Sequence, residues 1–286
     1  MAVVDKPAGW TSHDVVARCR KLLSTPAVGH SGTLDPDATG VLLLGVGRVT
    51  KLLRFLNDLP KTYVGEIVLG TATSTLDAAG EVTGTWDMSG VTAAAVATAA
   101  LSLTGDIMQI PPMVSAVQIG GKRLYELARK GIEIEREPRP VTVHSFSTAP
   151  TDDPLVWRCE VTCSTGTYVR VIAADLGAAL GGGGHLRNLR RTSIGGFVDA
   201  IALPLDEVAA DRLFPAAAAV AHLATLRPSP VVIGAVRHGQ VLEPDVLGVT
   251  AGDQGPWRVL DADGGLIAVY ERVVAGLKPA VVLSPG

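Results

Sequence analysis

The stretch Gly29–His30–Ser31–Gly32–Thr33–Leu34–Asp35–Pro36–Asp37–Ala38–Thr39–Gly40 decides how the rest of the chain is read. It holds three glycines, a histidine, two aspartates and a proline, set between a helical segment and the apolar run Val41–Leu44. Proline disfavours the α region for the residue before it, so Asp35 is expected in an extended or turn conformation. Glycines at 29, 32 and 40 allow close backbone approach or positive φ. The result is a carboxylate on a loop, with a histidine five residues upstream. Chemistry is commonly mounted on such loops. On local chemistry alone, the run also reads as a plain surface turn.

The 286 residues have ample length for a core, in one large or two modest domains. A hydrophobic content of 47% and a mean hydropathy of +0.32 suit a compact enzyme and exclude a mainly disordered chain. No apolar run reaches the roughly 18 residues needed to span a bilayer, and no signal peptide is expected, since the first residues lead directly into Asp5–Lys6–Pro7. Three cysteines do not make a disulfide framework. The expectation is a cytoplasmic, soluble protein. Its net charge of −3 is unlike a generic nucleic-acid binder, so positive charge for such a role has to be local. From Arg158 to Arg191, five cations face two acids; from Val231 onward, four cations face six acids.

Val3–Val4 reads as a short strand ending in a turn at Asp5–Trp10. Ser12 is the expected N-cap of a helix over His13–Leu23, with Val15, Val16, Cys19, Leu22 and Leu23 as its apolar stripe. After the Asp35 loop come Val41–Gly45 and a helix-like Val49–Leu56. Lys61–Leu69 alternates as a strand that puts Tyr63, Ile67 and Leu69 on one face. A tyrosine in that setting is ordinarily core. An alanine-rich helix is expected near Thr92–Leu101. Leu155–Cys163 alternates again and sends Cys159 and Cys163 to its apolar face; their C-x-x-x-C spacing is neither a zinc nor a redox motif. The six histidines show no paired spacing, so no metal site is indicated.

Ser164–Arg170 leads from that strand into a helix running to about Leu180. Gly181–Gly184 reads as a flexible run without the Gly-Lys-Ser/Thr of a phosphate loop. His185–Arg191 is expected to be helical, with Arg187, Arg190 and Arg191 on one face as the candidate phosphate-binding patch. Gly120–Arg139 is dense in charge, with Lys122, Glu126 and Lys130 at helical spacing. Arg227–Pro230 reads as a linker. Beyond it, Val231–Ile233, Trp257–Leu260, Leu266–Arg272 and Ala280–Leu283 are expected as strands of a small β-barrel, with a hairpin turn at Asp263–Gly265.

Gly29–Gly40 resembles the G-H-x-G-x-L-D-P-x-A-x-G signature of the TruB family, pseudouridine synthases that modify the TΨC arm of tRNA. Asp5–Ser12, Lys61–Tyr63, Thr73–Gly80, Gln109–Val117 and Gly166–Arg170 are also similar to that family. The resemblance implies an α+β fold: a mixed or antiparallel-sheet catalytic core with flanking helices over residues 1–226, and a small C-terminal β-barrel of PUA type over 227–286. It also implies an insertion at about 109–139 that folds over RNA. Asp35 is then the catalytic nucleophile and Arg170 its ionic partner. Tyr63, Tyr168 and Leu189 line the base pocket, and His30 occupies the space the base leaves. Asp77 organises its own turn. No metal or organic cofactor is needed; the partner is the TΨC stem-loop of tRNA, met by a monomer and away from any membrane. Gln118 stands where the family usually has lysine, and Asp37 where it more often has an apolar residue.

Two other readings compete. A non-catalytic RNA-binding module of the same fold draws support from the extra charge at Asp37. A hydrolase using His30, Ser31 and an aspartate needs two adjacent residues to meet, although neighbours on an extended segment point to opposite faces.

Overall fold

The computed structural model describes residues 1–115, 117–128 and 130–283. Ala116 and Arg129 of the expected insertion, and residues 284–286 of the expected C-terminal domain, lie outside the described residues. The chain opens with β1 (Ala2–Lys6), α1 (Ser12–Leu22), β2 (Val28–Ser31) and β3 (Thr39–Val46), then a 3-10 turn at Gly47–Leu52 and a short α2 (Arg54–Asn57). The middle holds β4 (Lys61–Leu69), β5 (Thr71–Thr73), β6 (Val82–Thr85), α3 (Ala93–Ser102) and β7 (Gly105–Gln109). Next come β8 (Gln118–Ile119), β9 (Lys122–Arg123), α4 (Leu124–Ala128), β10 (Arg139–Pro150) and β11 (Val156–Cys163). They lead to α5 (Val169–Ala179), β12 (Gly184–Ile194), β13 (Phe197–Val198), β14 (Leu203–Pro204) and α6 (Ala216–Ala219). The chain ends with β15 (Ala224–Leu226), α7 (Pro230–Arg237), β16 (Trp257–Leu260), β17 (Leu266–Val273) and β18 (Gly276–Val282). Among the described residues, no helix is long and apolar enough to cross a membrane.

Two units emerge. The first comprises Met1–Asp35, Leu42–Asp58 and Ala200–Gly286; the second comprises Pro36–Val41 and Leu59–Asp199. In the first unit β1 lies between β14, which it meets in parallel, and β3, which also carries β2. The stripe of α1 buries Val15, Val16 and Cys19 against Ala2, Val4, Val28, Leu42 and Leu44, each large apolar side chain contributing about 1.5–3 kcal/mol.

The first unit also contains the four-stranded sheet β15-β16-β17-β18, whose core is Trp257, Val259, Ile267, Tyr270 and Leu277 with Val236 of α7. This sheet is open, where the sequence suggests a barrel. Its first strand precedes Arg227, so a boundary at 226/227 divides the sheet. Val231–Ile233, expected as strand, lies in α7. Pro230 at its first turn explains the difference, because its fixed φ is already helical and its missing N–H costs nothing there. Arg48 Nη1 donates to Leu283 O at 2.9 Å, and Arg54 pairs with Glu271. These contacts join the C-terminal part of the unit to the turn after β3 and to α2.

In the second unit the order β12-β4-β11-β10-β7 is antiparallel throughout, while β12 meets residues 39–40 in parallel, making a mixed sheet. On β4, Tyr63, Ile67 and Leu69 are buried as the alternation requires, and Lys61 joins them. Cys159 and Cys163 are buried free thiols, and burial pushes them up to about 12 and about 11. They belong to the core. A side chain at Gly40 (φ +102°) would put its Cβ 2.2 Å from Arg191 O, so only glycine lets β3 begin against β12. Gly182 and Gly183, expected to be flexible, instead pack beneath Met88 and Trp86, and Gly183 O accepts from Gly70 N–H at 2.8 Å.

Candidate active site

The signature of the first unit is a hairpin. β2 and β3 pair antiparallel from Val28↔Val46 to Ser31↔Leu43, leaving residues 32–38 as the loop that carries Asp35. Gly32 adopts φ +77° at the start of that loop. Asp35 is half-buried, and Leu34 just before it is buried. Ser12 fixes this approach from both sides: its Oγ accepts from Leu34 N–H at 2.9 Å and donates to Leu34 O at 3.3 Å.

Ser12 is free for that task because Thr11, one residue earlier than expected, caps α1. Thr11 Oγ1 accepts from Asp14 N–H at 3.1 Å, while Thr11 N–H donates to Asp14 Oδ2 at 2.9 Å. Ser12 has valine three residues on and could not close such a box. His30 lies on β2 opposite Leu44, its ring edge-on to His13 at 5.4 Å. Ser31 is fully buried and donates to Asn57 Oδ1 at 2.9 Å, an arrangement that gives the hydrolase reading no exposed nucleophile.

The remaining candidate residues belong to the second unit. Tyr63 on β4 is directly opposite Arg191 on β12, whose guanidinium lies 6.0 Å from the ring centroid. Arg170 sits in the first turn of α5 and is only 4% exposed. Its Nη2 donates to Val114 O at 2.6 Å, its Nη1 to Thr75 O at 3.4 Å, and Asp77 Oδ2 lies 3.7 Å away. Asp77 does organise its turn: its carboxylate accepts from Thr75 Oγ1 and from Ala79 N–H at 3.1 Å. Tyr168 is the N-cap residue of α5, and its ring centroid lies 5.8 Å from the Arg170 guanidinium. Its backbone N–H donates to Gln109 Oε1 at 2.7 Å, and its carbonyl accepts from Gln109 Nε2 at 3.2 Å. A pocket of about 330 Å³ opens beside this pair, lined also by Pro111, Val117, Arg139 and Thr165. Leu189 is half-buried on β12, next to a break where Asn188 adopts φ +54° and the register shifts.

The arginine run departs from expectation. Arg187, Arg190 and Arg191 lie on strand β12 instead of sharing a helical face. Spacings of three and four suit a helix, but the bulge after Arg187 produces them in a strand. Arg187 Nε donates to Glu66 Oε2 at 2.7 Å, and that hydrogen bond holds the Glu66 carboxyl below the usual glutamate range. Arg190 Nε meets Asp199 Oδ2 at 3.4 Å. Arg191 is fully buried and donates from Nε to Val41 O at 2.7 Å, so it has no surface to offer a phosphate. In the charged insertion, Lys122 belongs to the β8–β9 hairpin, and among the described residues the helix α4 spans Leu124–Ala128. Two consecutive glycines at 120 and 121, both at positive φ, form the hairpin turn that places Lys122 on β9.

Residues 20–169 match the TruB family pseudouridylate synthase N-terminal domain, and residues 170–227 match the tRNA pseudouridylate synthase B C-terminal domain. The chain belongs to the TruB family. Its TruB relatives extend the match over the full length. The tRNA pseudouridine synthase B of Thermobifida fusca (strain YX) is 44% identical, covering 99% of this chain and 98% of the relative. That of Nocardia farcinica (strain IFM 10152) is 45% identical, covering 100% and 93%. Among solved structures, a chain from the crystal structure of a Cbf5-Nop10-Gar1 complex superposes with a TM-score of 0.74 at 26% identity, covering 95% of this TruB-family chain and 78% of that one. Neither Ser12 nor Gln109 was singled out as a site residue by sequence. The Thr11–Asp14 box carries a local signal that frees Ser12; Gln109 reaches a residue 59 positions away, which no local pattern signals.

Proposed function

We propose that this chain isomerises uridine to pseudouridine at position 55, in the TΨC loop of tRNA, with Asp35 as nucleophile. Uridine isomerisation in tRNA follows from family membership and from 44–45% identity over whole chains named tRNA pseudouridine synthase B. The observation that carries the Asp35 assignment is the signature hairpin: its loop holds a half-buried carboxylate one residue beyond a backbone pinned by Ser12.

The reaction breaks the C1′–N1 bond, turns the uracil and rejoins it through C5. The base has to be extruded first, at a cost of a few kcal/mol. Asp35 then forms a transient ester to the nucleoside, at the sugar C1′ or the pyrimidine C6, which divides one high barrier into two lower ones. We assign to Arg170 the role of keeping the Asp35 carboxylate ionised before attack, as a cation favours the charged form of a carboxylate. Tyr63 stacks on the uracil, and its hydroxyl assists removal of the C5 proton. Tyr168 and Leu189 line the base pocket, and His30 fills the space the base leaves. Phosphate contact falls to Arg187 and Arg190, whose side chains are 41% and 32% exposed. The insertion folds over the RNA arm, and the C-terminal sheet serves as a PUA-type RNA-contacting module. The enzyme works as a cytoplasmic monomer.

The test is tritium release from C5-labelled uridine in a synthetic TΨC stem-loop. Wild type releases tritium; Asp35→Asn binds the stem-loop with nearly unchanged affinity and releases none. A variant rate within about tenfold of wild type would remove Asp35 from the nucleophile role.

A further inference from the structure

Gln109 is the last residue of β7 and is 3% exposed. Its backbone is already in register with Arg139 of β10, so its side-chain root is fixed by the sheet. Both ends of its amide are used on a single residue: Oε1 accepts from Tyr168 N–H at 2.7 Å, and Nε2 donates to Tyr168 O at 3.2 Å. In extended backbone the N–H and C=O of one residue point the same way. A side-chain amide can therefore close a two-bond ring with that residue only while it stays extended. Tyr168 is extended, at φ −104° and ψ 106°, immediately ahead of α5.

The clamp meets a specific need. Tyr168 begins a helix without a side-chain cap, and its N–H lies outside the helical ladder. A free Tyr168 could unwind or wind on by a turn, carrying both its ring and Arg170 with it. With the clamp closed, the ring is held 5.8 Å from the Arg170 guanidinium, which in turn is anchored on Val114 O and Thr75 O.

We propose that Gln109 is a positioning residue for uridine isomerisation: its amide locks the Tyr168 backbone and thereby aims the Tyr168 ring at the base pocket. The inference rests on the reading of Tyr168 as a base-pocket residue. It extends that reading to a side chain that touches no substrate, and it predicts a defect in turnover separate from RNA affinity.

Four full-length variants decide it: Gln109→Met, which keeps volume and removes both bonds; Gln109→Glu, which keeps only the acceptor; Tyr168→Leu; and the Gln109→Met/Tyr168→Leu double. Tritium release from the C5-labelled stem-loop gives kcat and KM, and filter binding gives Kd. Gln109→Met is expected to lower kcat by about tenfold or more, with KM and Kd within about threefold of wild type. Gln109→Glu should fall between it and wild type, and the double should be no slower than Tyr168→Leu alone. If Gln109→Met turns over like wild type while Tyr168→Leu does not, the clamp is irrelevant and the base-pocket reading stands. If Tyr168→Leu is unimpaired, that reading falls and takes this inference with it. Losses that multiply in the double would give Gln109 a route of its own and overturn the positioning role. Should Gln109→Met fail to fold, Gln109→Glu decides alone, and a wild-type kcat for it overturns the proposal.

Discussion

Two arginine-bearing regions of the second unit handle charge in opposite ways. At the start of α5, Arg170 is nearly inaccessible, and carbonyls of Thr75 and Val114 take its donors, with Asp77 at the rim. On β12, Arg187 and Arg190 are 41% and 32% exposed, and each meets a carboxylate, Glu66 and Asp199 respectively. Arg191, next in sequence, turns inward against Tyr63 and Val41 O. A guanidinium held by fixed carbonyls is positioned at a point and cannot be traded for a lysine. One held by a surface carboxylate is replaceable, because such a pair is worth only about 0–1 kcal/mol and can exchange its partner for a phosphate. Arginines of a single unit thus serve three different ends.

That contrast can be broken most sharply at Arg170. Arg170→Lys should lower single-turnover tritium release by about a hundredfold or more, since an ammonium cannot reproduce a planar fork with several directed donors. Unimpaired kinetics would place Arg170 among the replaceable arginines. Arg191→Met should act on folding first, costing about 2 kcal/mol in urea titration through the lost charged bond to Val41 O. The double variant Arg187→Ala/Arg190→Ala should change stability by no more than about 1 kcal/mol. It should also lower the slope of log Kd against log salt for tRNA by about 1.5. An unchanged slope would move the phosphate track elsewhere.

The smallest effect concerns pH. The hydrogen bond from Arg187 holds the Glu66 carboxyl below the usual glutamate value of 4.5, against the opposite pull of burial. A depressed folded-state value contributes stability above the ordinary range and loses it as pH falls through the depressed value. Acid titration of Arg187→Ala should therefore show a slightly smaller loss than wild type, by well under about 1 kcal/mol.

The parts of the fold that were legible in sequence had an unambiguous period. Lys61–Leu69 alternates with no bulge over nine residues, and its buried face follows directly. The α1 stripe and the span of α5 were equally plain. His185–Arg191 misleads because a bulged strand imitates helical spacing, and nothing local announces the positive φ of Asn188. Val231–Ile233 misleads because three apolar residues are too few to show any period, which leaves Pro230 as the deciding signal. At the candidate site, the Asp35 loop was legible because its residues are contiguous, whereas β2 ahead of it was not, its four residues being too few to show a period. The Gln109–Tyr168 clamp was not, because its two halves meet only after β7 and α5 are both in place.

The early position of β15 has a practical consequence for anyone shortening this enzyme. A protein truncated after Leu226 would keep one ribbon of the C-terminal sheet while discarding the three that complete it, exposing a raw edge prone to aggregation. Trimming ahead of Ala224 removes that edge but strands the guanidinium groups of Arg48 and Arg54, whose counterparts at Leu283 and Glu271 would be gone. The tail is wired into its unit at Arg48 and Arg54, and a shorter version would return both exposed guanidinium groups to solvent at little cost.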